Sequence, residues 1–231
     1  MNLNGLDIEI IRTQRRKTLS INIERNGTVN VRAPLSLPED EIRAILITKE
    51  YEIHKRITSL KELNKEQINR KFAEGQSFLY LGKSYNLKIV ANQKQPLLLK
   101  GGYFLLSDRA LPKAEEVFIH FYKLHGKPII NDRIAYFQAF IAPKPNQIKL
   151  LDLKTRWSSC TPLGNLNFNW KCVMAPSEVI DYLIVHELVH LIHHNHSRAF
   201  WDEVSAIIPN YANHIEWLRK NGVKMTLRKN D

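Results

Sequence analysis

The chain has 231 residues, 44% hydrophobic and 25% charged, a balance that fits a folded globular protein and excludes a disordered one. Lys and Arg outnumber Asp and Glu by 34 to 23, a formal net charge of +11, which favours anionic partners without naming one. The first residues lack the basic-then-apolar layout of a secretory signal, and no run of about 18 apolar residues occurs, so a cytoplasmic protein without a membrane span is expected.

In chain order, "IEIIRTQ", "TLSINIE" and "TVNVRAP" between residues 7 and 33 alternate apolar and polar positions. That pattern predicts three strands, with Asn26-Gly27 as the turn between the last two. Pro38 and the acidic "PEDE" then open a helix through "IRAILITKEYEIHKRITSLKEL", since carboxylates favour the positive end of the helix dipole. Two strand pairs follow, "FLYLGKSYNLKIV" and "PLLLKGGYFLLS", turning at Gly82-Lys83 and Gly101-Gly102. Residues 113 to 141 have helical spacing, broken into two helices by Gly126 and Pro128. The change near residue 110 divides a β-rich N-terminal domain, 1–110, from a second domain, 111–231.

Two further strands, "QIKLLDLKTRWSSC" and "NLNFNWKCV", flank the turn "TPLGN", and Pro176 starts the next helix. In that hairpin the residue opposite Cys160 lies near Asn167, short of Cys172, so the two cysteines are expected as free thiols. The mixture of elements is that of an α+β protein.

The last of these helices carries "HELVHLIHHNH", residues 186 to 196. Four residues apart on a helix, His186 and His190 stand on one face about 6 Å apart along the axis and can reach one metal ion. Glu187 beside them can hold and deprotonate a metal-bound water without being a ligand. Burying a carboxylate and two imidazoles in so apolar a helix costs several kcal/mol, roughly, unless something compensates, and a divalent cation does. Zinc is the expected ion, held by three protein ligands with one position left open.

His193, His194 and His196 compete for the third ligand. In a continuing helix His193 lies about 10 Å beyond His186, too far to converge on a tetrahedral ion, and His194 is rotated further away. If a left-handed Asn195 ends the helix, the reversed chain returns His196 to the ion, and Ser197 caps a new helix through "RAFWDEVSAII". The spacing from His186 to His196 equals that of H-E-x-x-H-x-x-G-x-x-H, although His193 stands where that pattern has Gly. Glu203 and Glu216 remain alternative third ligands. Tyr182, one turn before His186, is a candidate proton donor to a developing oxyanion. Cys160 reads as a structural thiol, Trp157, Asn169 and Trp170 as residues shaping the sheet beside the cleft, and His214 as a surface residue.

"RWSSCTPLGNLNFNW", "APSEVIDYLIVHELVHL" and "NHSRAFWDEV" in succession resemble the YgjP-type metallopeptidase-like proteins, relatives of the SprT and WLM zinc-dependent proteases. The resemblance covers most of the chain and is most specific from Arg156 to Trp201. It implies a zincin-like C-terminal domain with the H-E-x-x-H motif on a central helix, His186, His190 and His196 as zinc ligands and Glu187 as catalytic base. The family's usual Trp-Gly-Ser-Cys reads Trp157-Ser158-Ser159-Cys160 here. Peptide-bond hydrolysis of a protein or peptide substrate is the leading function. Two rivals are hydrolysis of nucleotide phosphoanhydrides and a nucleic-acid-binding protein with a structural metal; in either protease or binder, the basic "RTQRRK" invites weak, sequence-independent contact with nucleic acid.

Overall fold

The computed structural model describes residues 1–3, 5–14, 18–24, 27–65, 70–153 and 156–227. They form a mixed α+β fold in two compact units, Met1–Gln67 and Ile68–Asp231. In the first unit, β1 (Asn2–Leu3), β2 (Leu6–Thr13), β3 (Ser20–Ile23) and β4 (Val29–Pro34) form one sheet in the order β1-β2-β4-β3. The strands β3 and β4 pair antiparallel, as their turn signal predicts, whereas β2 runs parallel to β4. Asn26 of that signal lies outside the described residues, and Gly27 supplies a φ of 92°. Helix α1 (Glu39–Lys65) begins with Glu39, Asp40 and Glu41. It buries Ile42, Leu46, Ile53 and Ile57, a stripe at helical spacing that shares one core with Val29, Val31 and Ala33 of β4.

The boundary falls at residues 67–68 and not near 110. The second unit opens with the sheet of β5 (Ser77–Tyr80), β6 (Lys83–Val90), β7 (Leu97–Lys100) and β8 (Tyr103–Ser107), ordered β5-β6-β8-β7. Its aromatic residues share a core with the next helix, Phe78 and Phe104 packing 4.4 and 5.1 Å, centroid to centroid, from Phe118. The compositional change near 110 is a 3-10 turn, Asp108–Lys113, that links sheet to helix within one unit. At the other end of the unit, buried Arg70 donates to the carbonyls of Ser77, Lys224 and Thr226 at 2.8, 2.7 and 2.6 Å, tying the C-terminal segment to β5.

Helix α2 (Ala114–Phe137) runs unbroken through Gly126 and Pro128. Gly126 is there for a packing reason: a Cβ at this position would stand 2.3 Å from the Val173 side chain, so the glycine admits a neighbour and does not end the helix. The segment read as one strand over 147–160 is two, β9 (Gln147–Leu151) and β10 (Ser158–Cys160), on opposite sides of β11 (Asn165–Asn169). One pairs parallel and the other antiparallel, so the chain must leave the sheet between them. The second segment stops as a strand at Asn169, whose Oδ1 accepts from the Lys171 N–H at 3.1 Å and caps a 3-10 turn, Trp170–Met174. Both cysteines are free, and Cys160 pairs with Leu166, one place from the expected Asn167.

The β5–β6 turn is centred on Leu81-Gly82, one residue earlier than the sequence suggests. Both residues have positive φ, 48° and 76°, as a type I′ hairpin turn requires. From this turn the Leu81 and Gly82 N–H groups donate to the carbonyls of Val173 and Met174 at 2.8 and 3.1 Å. They thereby hold the segment that leads through Pro176 into α3 (Ser177–Val189). Helix α3 is buried on nearly every side and packs against α2, β10, α4 (Arg198–Ile207) and α5 (Tyr211–Asn221). Among the described residues no helix is long and apolar enough to cross a membrane.

A Cβ on Gly82 would lie 2.9 Å from the Pro176 Cα and would also strain a positive φ. Gly82→Ala is expected to destabilise the fold by about 1–3 kcal/mol, read as a lower urea midpoint. An unchanged midpoint would show that this turn does not hold the entry to α3.

Candidate metal centre

His186 and Glu187 lie in the last turn of α3, and His190 is its C-cap. The helix therefore stops a turn and a half before Asn195, where the sequence spacing had placed its end. The Leu191 and Ile192 N–H groups bond back to the carbonyls of Leu188 and Val189 at 3.0 Å, three residues away, and this tightening turns the chain out of the helix. Asn195 is not left-handed: among the described residues only Leu81 and Asn92 have positive φ without being glycine. Its Oδ1 instead accepts from the Ser197 N–H at 3.2 Å. Ser197 caps α4 as expected, its Oγ accepting from the Phe200 N–H at 3.4 Å.

The reversal returns His196 to within 3.1 Å of His186, Nε2 to Nε2, and one ring nitrogen from each of His186, His190 and His196 falls within a 4.8 Å cluster. Two nitrogens bound tetrahedrally at about 2.0–2.1 Å would stand roughly 3.3 Å apart, so the first pair already has the spacing of ligands. Hydrogen bonding supports the same use. His190 Nδ1 is 2.9 Å from the His193 carbonyl; a carbonyl can only accept, so Nδ1 carries the proton and Nε2 presents its lone pair. Tyr182 Oη meets the Nδ1 of His186 at 3.4 Å. Burial, with His190 and His196 beside it, pulls the His186 imidazole down to about 3, so it is neutral at physiological pH. Phe200, fully buried, lies 4.6–4.9 Å from all three rings, and Trp201 stacks on His196 at 5.6 Å.

Glu187 is 3% exposed. Burial pushes its carboxyl up to about 7, opposed by a hydrogen bond from the Ser158 hydroxyl, the charge of Arg156 and the Cys160 N–H. Among the described residues its Oε2 has no hydrogen-bond partner. A buried carboxylate oxygen without a donor is costly, and next to three imidazole nitrogens it is the place where a water on a metal would donate. The donor set thus fits a divalent ion of the kind that accepts imidazole.

The other candidates disperse. His193, off the helix altogether, has its Nε2 3.7 Å from Glu203, while Glu216 is held by Arg219 and Lys220. His194 lines the cleft but is outside the cluster. His214 is buried and not on the surface, stacked 6.2 Å from the Tyr182 ring. Tyr182 itself is 5% exposed and its hydroxyl backs onto His186. Asn169 and Trp170 are buried beneath the site, and Asn169 Nδ2 donates to the Leu153 carbonyl at 2.6 Å.

The cleft, about 590 Å³, has β10 as one wall, and β10 is an edge strand. The Trp157 carbonyl accepts from Asn169 and the Thr161 N–H donates to Asn165. By the antiparallel alternation, the backbone groups of Ser158 and Cys160 therefore turn away from β11 towards the free edge, where the Cys160 N–H reaches Glu187. Sequence reasoning did not find the Ser158 and Arg156 contributions to Glu187, because they come from about thirty residues upstream and nothing local marks them.

A search of curated proteins finds no match. Among solved structures, the metallopeptidase zymogen of Pyrococcus abyssi abylysin is similar at 19% identity, covering 42% of this chain and 99% of that one, with a TM-score of 0.38. The sequence profile described as YgjP-like, metallopeptidase domain matches residues 17–221, a span that contains the histidine cluster, Glu187 and the β10 wall. The chain belongs to the YgjP-like metallopeptidase family, and that family implies a metal ion.

Proposed function

We propose that the protein is a zinc-dependent metallopeptidase of the cytoplasm, zincin-like in its second unit, with the H-E-x-x-H motif on α3. His186, His190 and His196 are its ligands and Glu187 is its base. The observation that carries this reading is the buried, unpartnered Glu187 Oε2 beside three imidazole nitrogens gathered within 4.8 Å. Zinc held there would supply Lewis acidity to a scissile carbonyl and to the attacking water. Glu187 takes the proton from that water and passes it to the leaving amine. Ser158 and the Cys160 N–H favour its charged form against the effect of burial. Tyr182 orients His186 from behind instead of reaching substrate. An extended peptide can pair with the outward backbone groups of Ser158 on β10, which is why a protein or peptide substrate suits this cleft.

Of the 34 Lys and Arg, 22 lie in Ile68–Asp231, against 13 of the 23 Asp and Glu, so this unit holds +9 of the +11 charge. Weak, sequence-independent nucleic-acid binding is therefore assigned to the unit with the histidine cluster and not to "RTQRRK", of which residues 15–17 lie outside the described residues.

With zinc loaded, Glu187→Gln should lower peptide hydrolysis at least about 100-fold while metal analysis still finds near one zinc per chain. Loss of the metal with the fold intact would make Glu187 a ligand. His196→Ala should weaken zinc binding by more than the roughly 10–100-fold typical of losing an outer partner, read by competitive titration. His193→Ala keeps the backbone carbonyl that His190 uses and should change little; the reverse ranking would remove His196 from the ligand set. If the basic unit binds nucleic acid, residues 68–231 carry a retardation of DNA or RNA at low salt that falls steeply as salt rises, and neutralising Arg15, Arg16 and Lys17 leaves it in place. Loss of retardation in that triple variant would return the role to the N-terminal cluster.

A further inference from the structure

Among the described residues, the lining of the cleft contains one carboxylate, Glu187, and one guanidinium, Arg156. Pro162 is its one aliphatic contributor; hydroxyls of Ser158, Ser159 and Thr161 and the imidazoles supply most of the rest. The Arg156 side chain is exposed, and among the described residues no carboxylate forms an ion pair with it. It lines the same cleft as Glu187 and the three histidines. A divalent ion held by the three histidines would, with Arg156 and Glu187, leave these groups net positive together, a field that favours anions.

Arg156 is two residues before Ser158, whose backbone faces the free edge. The two residues are at most about 7 Å apart along the backbone, so Arg156 stands next to the start of that edge. We infer that Arg156 is a specificity-determining residue, which selects peptides bearing a carboxylate side chain close to the scissile bond and grips it with the planar fork of its guanidinium. The inference rests on the peptidase reading for its meaning but is tested by binding.

The test uses full-length, zinc-loaded protein and a series of alanine-rich octapeptides that differ at one central position, Glu, Gln or Lys. Affinity is measured calorimetrically on the Glu187→Gln protein, which leaves them uncut, and kcat/KM on the wild type. The Glu peptide should bind about tenfold tighter than the Gln peptide, with a margin that shrinks as salt rises. Adding Arg156→Gln should level the series, and Arg156→Glu should invert it so that the Lys peptide binds best. Both substitutions keep the main-chain carbonyl that accepts from Asn169 Nδ2, and circular dichroism checks folding. An unchanged order in the charge-reversed protein overturns the inference, as does a wild-type cleft with no charge preference or with no affinity for any peptide. A role confined to supporting Glu187 would instead lower kcat equally for all three peptides. If the Glu peptide binds as expected yet the wild type leaves it intact, the peptidase reading falls while the role of Arg156 in selecting carboxylates stands.

Discussion

The hydrogen bond between His190 Nδ1 and the carbonyl of His193, 2.9 Å long, joins the last turn of α3 to the loop that leaves it. A carbonyl offers no proton, so the bond fixes the His190 tautomer and points the Nε2 lone pair away from the loop. The same bond holds the chain where the i→i−3 contacts of Leu191 and Ile192 have turned it out of the helix. The return of His196 to His186 follows from that early exit. Had α3 run on to Asn195, His196 would have started its return five residues further from the cluster. Ligand chemistry and chain path are thus set by one contact.

The helix that carries the site is buried on nearly all sides, and this is the source of both its rigidity and its electrostatic difficulty. Val179, Ile180, Leu183, Ile184, Val185, Leu188 and Val189 of α3 are all buried, so His186, Glu187 and the capping His190 stand on a frame with little freedom to shift. Burial also disfavours the charged form of Glu187. Three groups from β10 and its approach oppose that effect: the Ser158 hydroxyl, the Cys160 N–H and the Arg156 guanidinium. The edge strand therefore conditions the carboxylate as well as walling the cleft. The hydroxyl in that set is the side chain of Ser158.

What the sequence reveals and what it hides divide along the range of the interactions. The i, i+4 pair of His186 and His190, the neighbouring Glu187, the Ser197 cap and the acidic start of α1 are local, and local spacing suffices to find them. The strand pairs of β5–β6 and β7–β8 carry their own turn residues and were legible to within one position. Gly126 and Pro128 read as helix breakers because propensity sees one chain only; the packing of Val173 into the space beside Gly126 is tertiary and keeps α2 whole. The unit boundary was misplaced for a related reason. The sheet of β5–β8 resembles the N-terminal sheet in composition, yet its aromatic core closes on Phe118, Phe121 and Tyr122 of the helix that follows it. His196 does come together with His186 and His190, although by way of a helix end that lies elsewhere, and the environment of Glu187 was not reachable at all.

The contacts that set α3 in place all come from beyond its own sequence. The Leu81-Gly82 turn holds the carbonyls of Val173 and Met174 just ahead of Pro176, Arg133 of α2 grips Asp181 through two bonds of 2.6 and 2.8 Å, and Phe200 of α4 closes on the imidazoles. The first of these fixes the entry to the helix, the second its flank and the third its end. The Arg133 pair is partly exposed, so its geometric role outweighs its energetic one, while a turn with two N–H donors spent on a neighbouring backbone has no slack to give. His186, Glu187 and the capping His190 are in this way carried on a helix constrained at both termini, while His196 reaches them from the α3–α4 loop, which the His190–His193 bond ties back to the helix end.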